Sequence, residues 1–296
     1  MKHIENSFNE ETYYNAIVGG LKNFFNNSEY ELHVAIGLSG GLDSALVAKV
    51  ATDAFGAHRV HGLILPSNTT SEKSVNLALS LANNLGIRTH GIPIGKISDE
   101  FVSNFEKNME VEAHPTAVGN VMSRMRMVAL MCASNVYGWA VLNTGNRTEA
   151  MLGYCTLYGD TCGAFAPIGD LYKTEVFAMS RWLNEQAKSR GEVEPIPAGI
   201  IERPPTAELV PGQTDESDIG ASYEEIDDIL WKIFVEGMER DEAPGYGLDP
   251  DFCNHIFAMH ANTEFKMQHL PPHTIVHSEL APGEVREQMI QNEQES

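Results

Sequence analysis

The sequence predicts an α/β fold: a doubly wound, mostly parallel sheet with helices on both faces, followed by C-terminal helices. Short apolar runs alternate along the chain with longer stretches whose apolar residues recur at helical spacing. Alternation of this kind is typical of a parallel sheet that is covered on both faces. With 296 residues, 43% of them hydrophobic, the chain can bury one large core or about one and a half domains.

The periodicity arranges the predicted elements in a definite order. The predicted strands are 33–38, 59–65, 88–93 and 139–144, and the predicted helices are 10–26, 43–54, 71–85, 97–109, 119–137, 223–237 and 251–267. The first strand is a short apolar run, and the helix after it follows a glycine-rich turn. Ser71 before an apolar run indicates where the third helix begins, and Gly86 indicates where it ends.

Three predicted strands end in loops that are polar or rich in glycine and proline. Leu38 is followed by a serine-glycine turn, Leu65 by PSNTT, and Thr144 by GNRTE. In open α/β sheets, ligands bind outside the carboxyl ends of the strands, where the strand order reverses. We therefore expect the chemistry of this chain to lie along one edge of the sheet.

The most informative of these loops is SGGLDS (39–44), between a predicted strand and a predicted helix. A glycine-rich turn in this position directs several backbone N–H groups and the positive end of the helix at one point, which favours a bound anion. The chain has no G-x-x-x-x-G-K-[ST] after a strand and no G-x-G-x-x-G. The loop therefore predicts a phosphate site of another type.

Two other interpretations of this loop stay open. GLSGG (37–41) also matches G-x-S-x-G, the nucleophile elbow of serine hydrolases, but in that fold several strands and an oxyanion loop precede the elbow. Here roughly one helix and one strand precede Ser39. The turn can also be purely structural, with Asp43 placed to interact with the helix dipole.

The composition argues against several classes of function. A formal net charge of −21, with 20 Lys and Arg residues, disfavours a nucleic-acid partner, because binding a phosphate backbone requires clustered basic side chains. Since no run of about 18 apolar residues and no signal-peptide pattern occurs, we expect a cytoplasmic protein without a membrane partner. The four cysteines lack C-x-x-C spacing and are expected to be buried free thiols.

Two C-terminal segments have the composition of loops. Residues 202–222 contain three prolines, two glycines and many acids, which favours a mobile lid. The polar segment 271–296 is expected to fray. We therefore predict one domain over 1–270 and a partly flexible tail over 271–296.

Five further segments follow the loop: NVMSRMRM (120–127), NTGNRTE (143–149), GYCTLYGD (153–160), APIGDLYKTEV (166–176) and PPTAEL (204–209). The loop alone resembles the SGGxDS loop of the ATP pyrophosphatases, which cleave ATP between the α and β phosphates. In this order, the whole series resembles the NAD synthetases, which amidate nicotinic acid adenine dinucleotide. The resemblance covers about residues 10–270.

The resemblance implies an adenine nucleotide alpha hydrolase-like core that carries out a ligase reaction. ATP would adenylate the substrate carboxylate, and ammonia would displace AMP, so that AMP and pyrophosphate are released. A carboxylate is a poor electrophile, and a mixed anhydride supplies a good leaving group. The cofactor implied is Mg²⁺, with ATP as a co-substrate.

The resemblance also implies roles for individual residues. Those implied in ATP binding are Ser39, Gly40, Gly41, Asp43, Ser44, Thr144, Lys173 and Thr206. Asp43 and Glu149 match the magnesium carboxylates of the family, and two acids from separate loops suit an ion that keeps most of its water ligands. Arg124, Asp160 and Lys266 match substrate-binding positions.

Three positions depart from the pattern of the ammonia-dependent members. Leu157 and Ala164 stand where many of those members have a lysine and an acid for the pyridine nucleotide, and Met267 stands where H-K-R ends near the C-terminus. The TLYGD and GAFAPI segments are similar instead to the synthetase domain of the glutamine-dependent enzymes. Another amidating or thiolating ATP pyrophosphatase with a different acceptor therefore stays an alternative.

We expect no glutaminase in this chain, because it is too short and no Cys-containing amidotransferase or nitrilase pattern precedes Ser39. Ammonia would come from solution or from a separate glutaminase. The resemblance further implies a homodimer, and the apolar-rich helix 119–137 is the candidate contact surface. A non-catalytic nucleotide-binding regulator is a last alternative, which the two magnesium acids and Lys173 disfavour.

Overall fold

A parallel sheet forms the centre of the computed structural model, which describes residues 8–26, 31–206, 208 and 215–277. Within these residues the strands are β1 (Val34–Gly37), β2 (Val60–Ile64), β3 (Arg88–Gly91) and β4 (Ala140–Val141). All four are parallel, in the order β3-β2-β1-β4, and Val34 lies beside both Val60 and Ala140. The strand order therefore reverses at β1, and the predicted fold class is confirmed.

Helices cover the sheet and extend beyond it. In chain order they are α1 (Glu10–Phe24), α2 (Leu42–Phe55), α3 (Glu72–Leu85), α4 (Gly95–Met109), α5 (Pro115–Tyr137), α6 (Arg147–Leu152), α7 (Lys173–Ser189), α8 (Ala198–Ile201), α9 (Asp215–Ile219), α10 (Tyr223–Phe234) and α11 (Pro250–Met267). Two 3₁₀ helices cover Ala57–Arg59 and Arg240–Tyr246. Every helix predicted from the sequence is present.

The helix ends follow local capping chemistry. Ser71 Oγ accepts a hydrogen bond from the backbone N–H of Ser74 at the start of α3, and Gly86 ends that helix in the left-handed conformation. α5 begins at Pro115 rather than at the predicted residue 119, because proline fits the first turn of a helix, and His114 caps it. The caps predicted from the sequence for α3 are therefore confirmed.

The 17-residue helix α7 is the largest element that the sequence periodicity does not predict. Its first turn carries Lys173, Thr174 and Glu175, and all three are buried. Charged and polar residues on a buried face interrupt the apolar spacing by which a helix is recognised. Because Lys173 is charged but buried, the hydrophobic pattern of the sequence does not predict the helix that begins there.

The strand β4 is shorter than the predicted 139–144. Leu142 forms only a single parallel bridge, to Phe165. Asn143 Nδ2 donates to the carbonyl oxygens of Asp160 at 2.7 Å and Cys162 at 2.8 Å. These contacts direct the chain away from β1, so that residues 143–146 form a loop at the carboxyl edge of the sheet.

Buried apolar side chains cover both faces of the sheet. The largest cluster packs one face against α1, α2, α3 and α7, and another packs the opposite face against α5. A further cluster joins α6, α10 and α11 beside the sheet. Among the described residues, no helix is long and apolar enough to cross a membrane.

The predicted lid and tail lie partly outside the described residues. Residues 207 and 209–214 of the lid and residues 278–296 of the tail are outside, and the lid segment Asp215–Ile219 is the short helix α9. Residues 271–277 differ from the frayed segment that the composition predicts. Pro271 and His277 are buried, because the backbone of this segment finds hydrogen-bond partners at the edge of the sheet.

Candidate active site

A cavity of about 330 Å³ opens at the carboxyl edge of the sheet, beside the ends of β1, β2 and β4. The sequence-predicted site residues that line it are Ser39, Gly41, Asp43, Ser44, Thr144, Glu149, Asp160, Lys173 and Thr206. Gly40, Arg124 and Lys266 are not among the lining residues. The cavity therefore joins most of the predicted residues at the strand-order reversal.

The SGGLDS loop is a compact turn that its own serines stabilise. Ser39 Oγ accepts from the backbone N–H of Gly41 at 3.1 Å, and the hydroxyls of Ser39 and Ser44 lie 3.1 Å apart. Gly40 has a φ of +77°, and a Cβ there would lie 2.2 Å from the carbonyl oxygen of Ser74. Only glycine fits this position, so the turn approaches α3 closely while α2 begins at Leu42.

Lys173 joins the two predicted magnesium acids. Its side chain is 2% exposed, and Nζ lies 2.5 Å from Asp43 Oδ2 and 3.3 Å from Glu149 Oε1. Asp43 comes from the first turn of α2, Glu149 from α6 and Lys173 from the first residue of α7. Three separate helices thus bring one buried cation between two carboxylates at the cavity wall.

The charges in this cluster shift one another's pKa values. Burial raises the pKa of Glu149 to about 8 against the opposing effect of Lys173, and Asp43 and Asp215 add to the rise. Burial lowers the pKa of Lys173, but Asp43 and Glu149 outweigh it and hold that pKa above its ordinary value. Lys173 therefore stays protonated, whereas the ionised form of Glu149 is disfavoured as long as Lys173 is the cation beside it.

Asn146 holds the loop after β4 against the SGGLDS loop. Its Nδ2 donates to Asp43 Oδ1 at 2.9 Å, and its Oδ1 accepts from the backbone N–H of Glu149 at 3.0 Å. Asn146 is the N-cap of α6 in a capping box with Glu149. One amide side chain therefore sets the relative positions of both acids.

Asp215 is a further acid at the cavity that the sequence does not single out. It is 5% exposed, lines the cavity, and accepts from Tyr223 Oη at 3.1 Å. Tyr154 Oη donates to Asp218 at 2.9 Å and to Asp215 at 3.4 Å. The segment 202–222 contains several acids, and no sequence pattern separates Asp215 from the others. Its burial at the cavity, seen in the structure, does.

The segment that carries Thr206 lies against α3 beside the SGGLDS loop. Thr206 Oγ1 accepts from the backbone N–H of Glu208 at 3.1 Å. The Glu208 carboxylate accepts from Ser74 Oγ at 2.7 Å and from Ser71 Oγ at 2.9 Å, and Arg203 lies 3.1 Å from it. These contacts place Thr206 and Arg203 in the cavity wall.

Arg126, rather than Arg124, lines the cavity. Arg126 donates to the Leu65 carbonyl and to Ser67 Oγ, each at 3.3 Å. Arg124 Nε donates instead to the carbonyl of Leu157 at 3.2 Å. Residues two apart on a helix point to different sides, so NVMSRMRM alone does not tell which arginine faces the cavity.

Asp160 and Lys266 both stabilise the loop after α6. Asp160 Oδ1 accepts from Ser123 Oγ at 2.7 Å and from the backbone N–H of Thr156 at 2.8 Å. Lys266 Nζ donates to the carbonyl oxygens of Gly153 and Cys155, each at 2.7 Å. Asp160 therefore lies at the cavity itself, whereas Lys266 supports the loop from behind it.

The donor set at Asp43 and Glu149 fits Mg²⁺. Both carboxylates approach the same Lys173 nitrogen, so their oxygens lie on one wall of the cavity. In the described part of the chain, no group of three or more His, Cys, Asp or Glu side chains is arranged to hold a metal ion by itself. Two carboxylates that leave room for water and phosphate oxygens are what Mg²⁺ commonly uses.

Comparison with known proteins gives a consistent result. The family model of NAD synthase matches residues 13–270. The glutamine-dependent NAD(+) synthetase of Thermotoga maritima is 40% identical over 87% of this chain, and the NH(3)-dependent NAD(+) synthetase of Chlorobaculum tepidum is 40% identical over 79%. This chain spans 44% of the length of the first relative and 78% of the second.

A solved structure supports the same relationship. The NMN synthetase of Francisella tularensis superposes with a TM-score of 0.74 at 28% identity, and the match covers 88% of this chain and 97% of that one. The family match covers the SGGLDS loop, both predicted magnesium acids and Lys173. The chain belongs to the NAD synthase family.

Proposed function

We propose that this chain amidates nicotinic acid adenine dinucleotide to NAD, consuming ATP and ammonia and releasing AMP and pyrophosphate. The observation that carries the proposal is the buried Lys173 between Asp43 and Glu149, beside the SGGLDS loop. Synthetases that use ammonia and synthetases that use glutamine are both similar to this chain, which supports a reaction of this class.

In the proposed first step, an oxygen of the substrate carboxylate attacks the α-phosphorus of ATP. A P–O bond forms to the carboxylate, the bond from the α-phosphorus to the bridging oxygen breaks, and pyrophosphate leaves with the electron pair. The backbone N–H groups of the SGGLDS loop and the Ser39 and Ser44 hydroxyls hold the phosphates, and Lys173 offsets the negative charge on them. This chain contributes mainly positioning and charge stabilisation.

We propose that Asp43 and Glu149 hold Mg²⁺ during this step. When bound, the ion neutralises charge on the phosphate oxygens and orients them. Asn146 keeps both carboxylates at a fixed separation, because it contacts the side chain of one and the backbone of the other.

In the proposed second step, ammonia attacks the acyl carbon of the adenylate. A C–N bond forms, the C–O bond to AMP breaks, and the nitrogen releases one proton to water. Asp160 is the carboxylate that we propose for contact with the acceptor, because its side chain lies at the cavity and Ser123 and the Thr156 N–H fix its orientation.

The direct test supplies purified protein with ATP, Mg²⁺, ammonium and nicotinic acid adenine dinucleotide. We expect NAD, AMP and pyrophosphate in equal amounts. Formation of ADP and phosphate would contradict the proposed chemistry, and ATP binding without turnover would favour the non-catalytic regulator.

A mononucleotide acceptor is the second candidate. It is favoured by the match to the NMN synthetase of Francisella tularensis along nearly its whole length, and by Leu157, Ala164 and Met267 at positions implied in dinucleotide recognition. Competition between the mononucleotide and dinucleotide acids in one reaction distinguishes the two. We expect the dinucleotide to have the larger kcat/KM, and the reverse ratio would assign the chain to the mononucleotide.

The nitrogen donor is tested by comparing ammonium with glutamine. We propose free ammonia as the donor for the isolated chain, and a separate glutaminase is the alternative source of that ammonia. Turnover with glutamine alone would contradict this. A cytoplasmic location and the absence of nucleic-acid and membrane partners remain predictions from the sequence.

We propose a homodimer in which α5 forms the contact surface. Val128, Val136 and Tyr137 on α5 are more than half exposed, and the neighbouring α4 exposes Phe101 and Met109. Apolar side chains grouped in this way favour association. Light scattering should give twice the chain mass of 32.6 kDa, and Val128→Asp should halve it, whereas a monomeric wild type would overturn the proposal.

We propose that Arg124 contacts substrate after its hydrogen bond to the Leu157 carbonyl breaks.

We propose that Lys266 affects substrate binding through the loop after α6, because it holds the Gly153 and Cys155 carbonyls of that loop. Lys266→Ala should raise the KM for the dinucleotide more than the KM for ATP, because the loop carries Thr156 and Asp160. Lys188→Ala, on the outer end of α7, is the matched control. An unchanged dinucleotide KM in Lys266→Ala would exclude this role.

A further inference from the structure

The segment 270–277, which we call the strap, forms one wall of the cavity. Leu270, Pro271 and His273 are among the lining residues. The carbonyl of Pro272 accepts from the backbone N–H of Ala166 at 2.9 Å, next to the bridge between Leu142 and Phe165. The strap therefore closes the cavity on the side of β4.

A single carboxylate holds the far end of the strap. Asp170 Oδ2 accepts from the backbone N–H of Val276 at 2.7 Å and from that of His277 at 2.9 Å. Its other oxygen, Oδ1, forms an ion pair with the guanidinium of Arg147. Asp170 is 4% exposed, so these contacts are largely shielded from water.

Arg147 links the same carboxylate to the predicted magnesium acids. Arg147 is the first residue of α6, directly after Asn146, which contacts both Asp43 and Glu149. The backbone N–H of Arg147 also donates to the carbonyl of Leu171 at 2.8 Å, beside Asp170. Asp170 thus connects two walls of the cavity: the strap through one oxygen, and the start of α6 through the other.

The strap has few other polar anchors. His277 Nε2 lies 2.9 Å from Glu175 Oε2, and the Tyr13 and Tyr172 rings pack against the His277 ring. These contacts fix the last residue, whereas the cavity wall itself is residues 270–273. Without Asp170, the backbone N–H groups at 276 and 277 lose their acceptor, and the hydrogen bonds described for the wall are those from Ala166 to Pro272 and from Leu270 to Met267.

We propose that Asp170 is a positioning residue: it fixes the position of the strap, which is one wall of the nucleotide cavity, relative to the start of α6. It touches no substrate and acts through the main chain of 276–277 and through Arg147. The proposal rests on the proposed function only for the identity of the substrates. The position of the wall is a property of the fold that can be measured without turnover.

Asp170→Asn tests the proposal, because the amide keeps the size of the side chain but loses one acceptor and the charge. We expect amide hydrogen exchange in 273–277 to become about tenfold faster. We expect the Kd for ATP, measured by calorimetry, and the KM for at least one substrate to rise about tenfold, while kcat at saturation changes less than about threefold. Glu192→Gln, which breaks the exposed pair with Arg190, is the control and should change none of these.

A reversible crosslink separates the position of the strap from general stability. A Cβ added at Gly169 would lie 3.0 Å from His273 Cβ, so a disulfide between cysteines at 169 and 273 requires only a small adjustment. In the Asp170→Asn background, Gly169→Cys with His273→Cys should regain ATP affinity when oxidised and lose it again when reduced. The matched control is Asp170→Asn without the two introduced cysteines, oxidised in the same way.

Two results would overturn the proposal. One is a folded Asp170→Asn variant with unchanged amide exchange in 273–277 and unchanged ATP affinity. The other is an oxidised crosslink that restores slow exchange without restoring ATP affinity. Failure of the wild-type chain to make NAD would instead reject the proposed function. Amide exchange and ATP affinity would still decide whether Asp170 positions the strap.

Discussion

Two neighbouring clusters are built differently: one holds several carboxylates, and the other holds a single buried carboxylate. At the cavity, Asp43, Glu149 and Asp215 surround one cation, Lys173. Behind it, Asp227 of α10 accepts only from neutral groups: the Thr148 hydroxyl, and the backbone N–H and hydroxyl of Thr174 at 2.8 and 2.7 Å. The first cluster faces the cavity, whereas the second is completely enclosed.

Burial alone does not distinguish the two clusters. It raises the pKa of Glu149 to about 8 and that of Asp227 to about 7. The opposing influence on Glu149 is the charge of Lys173, whereas on Asp227 it is hydrogen bonds from Thr148 and Thr174. A raised pKa therefore does not by itself mark a functional acid. The position of Glu149 at a cavity, beside a specific charged partner, separates it from the enclosed Asp227.

Lys173→Met should produce the largest effect on the cavity cluster. Removing the cation between Asp43 and Glu149 leaves these carboxylates uncompensated, and the free energy of unfolding should fall by about 3–5 kcal/mol. Urea unfolding measures this, with Lys49→Met as the control, since Lys49 pairs with Asp53 on the surface of α2. Added Mg²⁺ should stabilise the Lys173 variant more than the wild type. Equal losses in the two lysine variants would contradict the difference between the clusters.

Asp43→Asn should mainly affect chemistry. We expect kcat to fall by about 10²- to 10³-fold, because the carboxylate proposed to hold Mg²⁺ at the phosphates is lost. The loss of stability should be smaller than in Lys173→Met, since Glu149 still pairs with the lysine. Pyrophosphate exchange into ATP measures the first step, and a variant with the wild-type exchange rate would remove Asp43 from the mechanism.

Asp227→Asn should mainly affect stability. Replacing an acceptor of three hydrogen bonds should lower the free energy of unfolding by about 1–3 kcal/mol, with kcat per folded molecule nearly unchanged.

The pH dependence of this variant has a definite sign. Because the pKa of Asp227 is raised to about 7, its stabilising contribution is complete below the pKa of the unfolded chain and is lost as pH rises through 7. The difference in stability between wild type and variant should therefore narrow between pH 5 and pH 8. A difference that widens would show that ionised Asp227 is the stabilising form.

The smallest effect is expected from a buried base at the opposite edge of the sheet. Burial, and then His33, His90 and Arg88, lower the pKa of His61 to about 4. The stability that neutral His61 contributes is present above its pKa in the unfolded chain and is lost as pH falls toward 4. His61→Phe can still stack on Trp139. Its melting temperature should therefore fall less than that of the wild type when the pH is lowered from 7 to 5. An equal fall in melting temperature in both proteins would exclude His61 as the source of the pH dependence.

The sequence predicts the scaffold better than the details of the site. Apolar spacing is sufficient for β1, α2 and α3, because their buried faces carry apolar residues. It fails for α7, where Lys173 and Glu175 are buried, and it does not reveal that Arg126 lines the cavity, which depends on how α5 is rotated. Asp215 and the strap are also missed, because their roles depend on contacts between distant segments that no local pattern encodes.

The central claim is that the crevice beside Asp43, Glu149 and Lys173 activates a carboxylate as an adenylate. Its most direct test uses nicotinic acid adenine dinucleotide labelled with ¹⁸O in the carboxylate, with mass spectrometry of the products. We expect one labelled oxygen to appear in AMP and none in pyrophosphate. Label found in inorganic phosphate or pyrophosphate, or AMP without label, would contradict the claim.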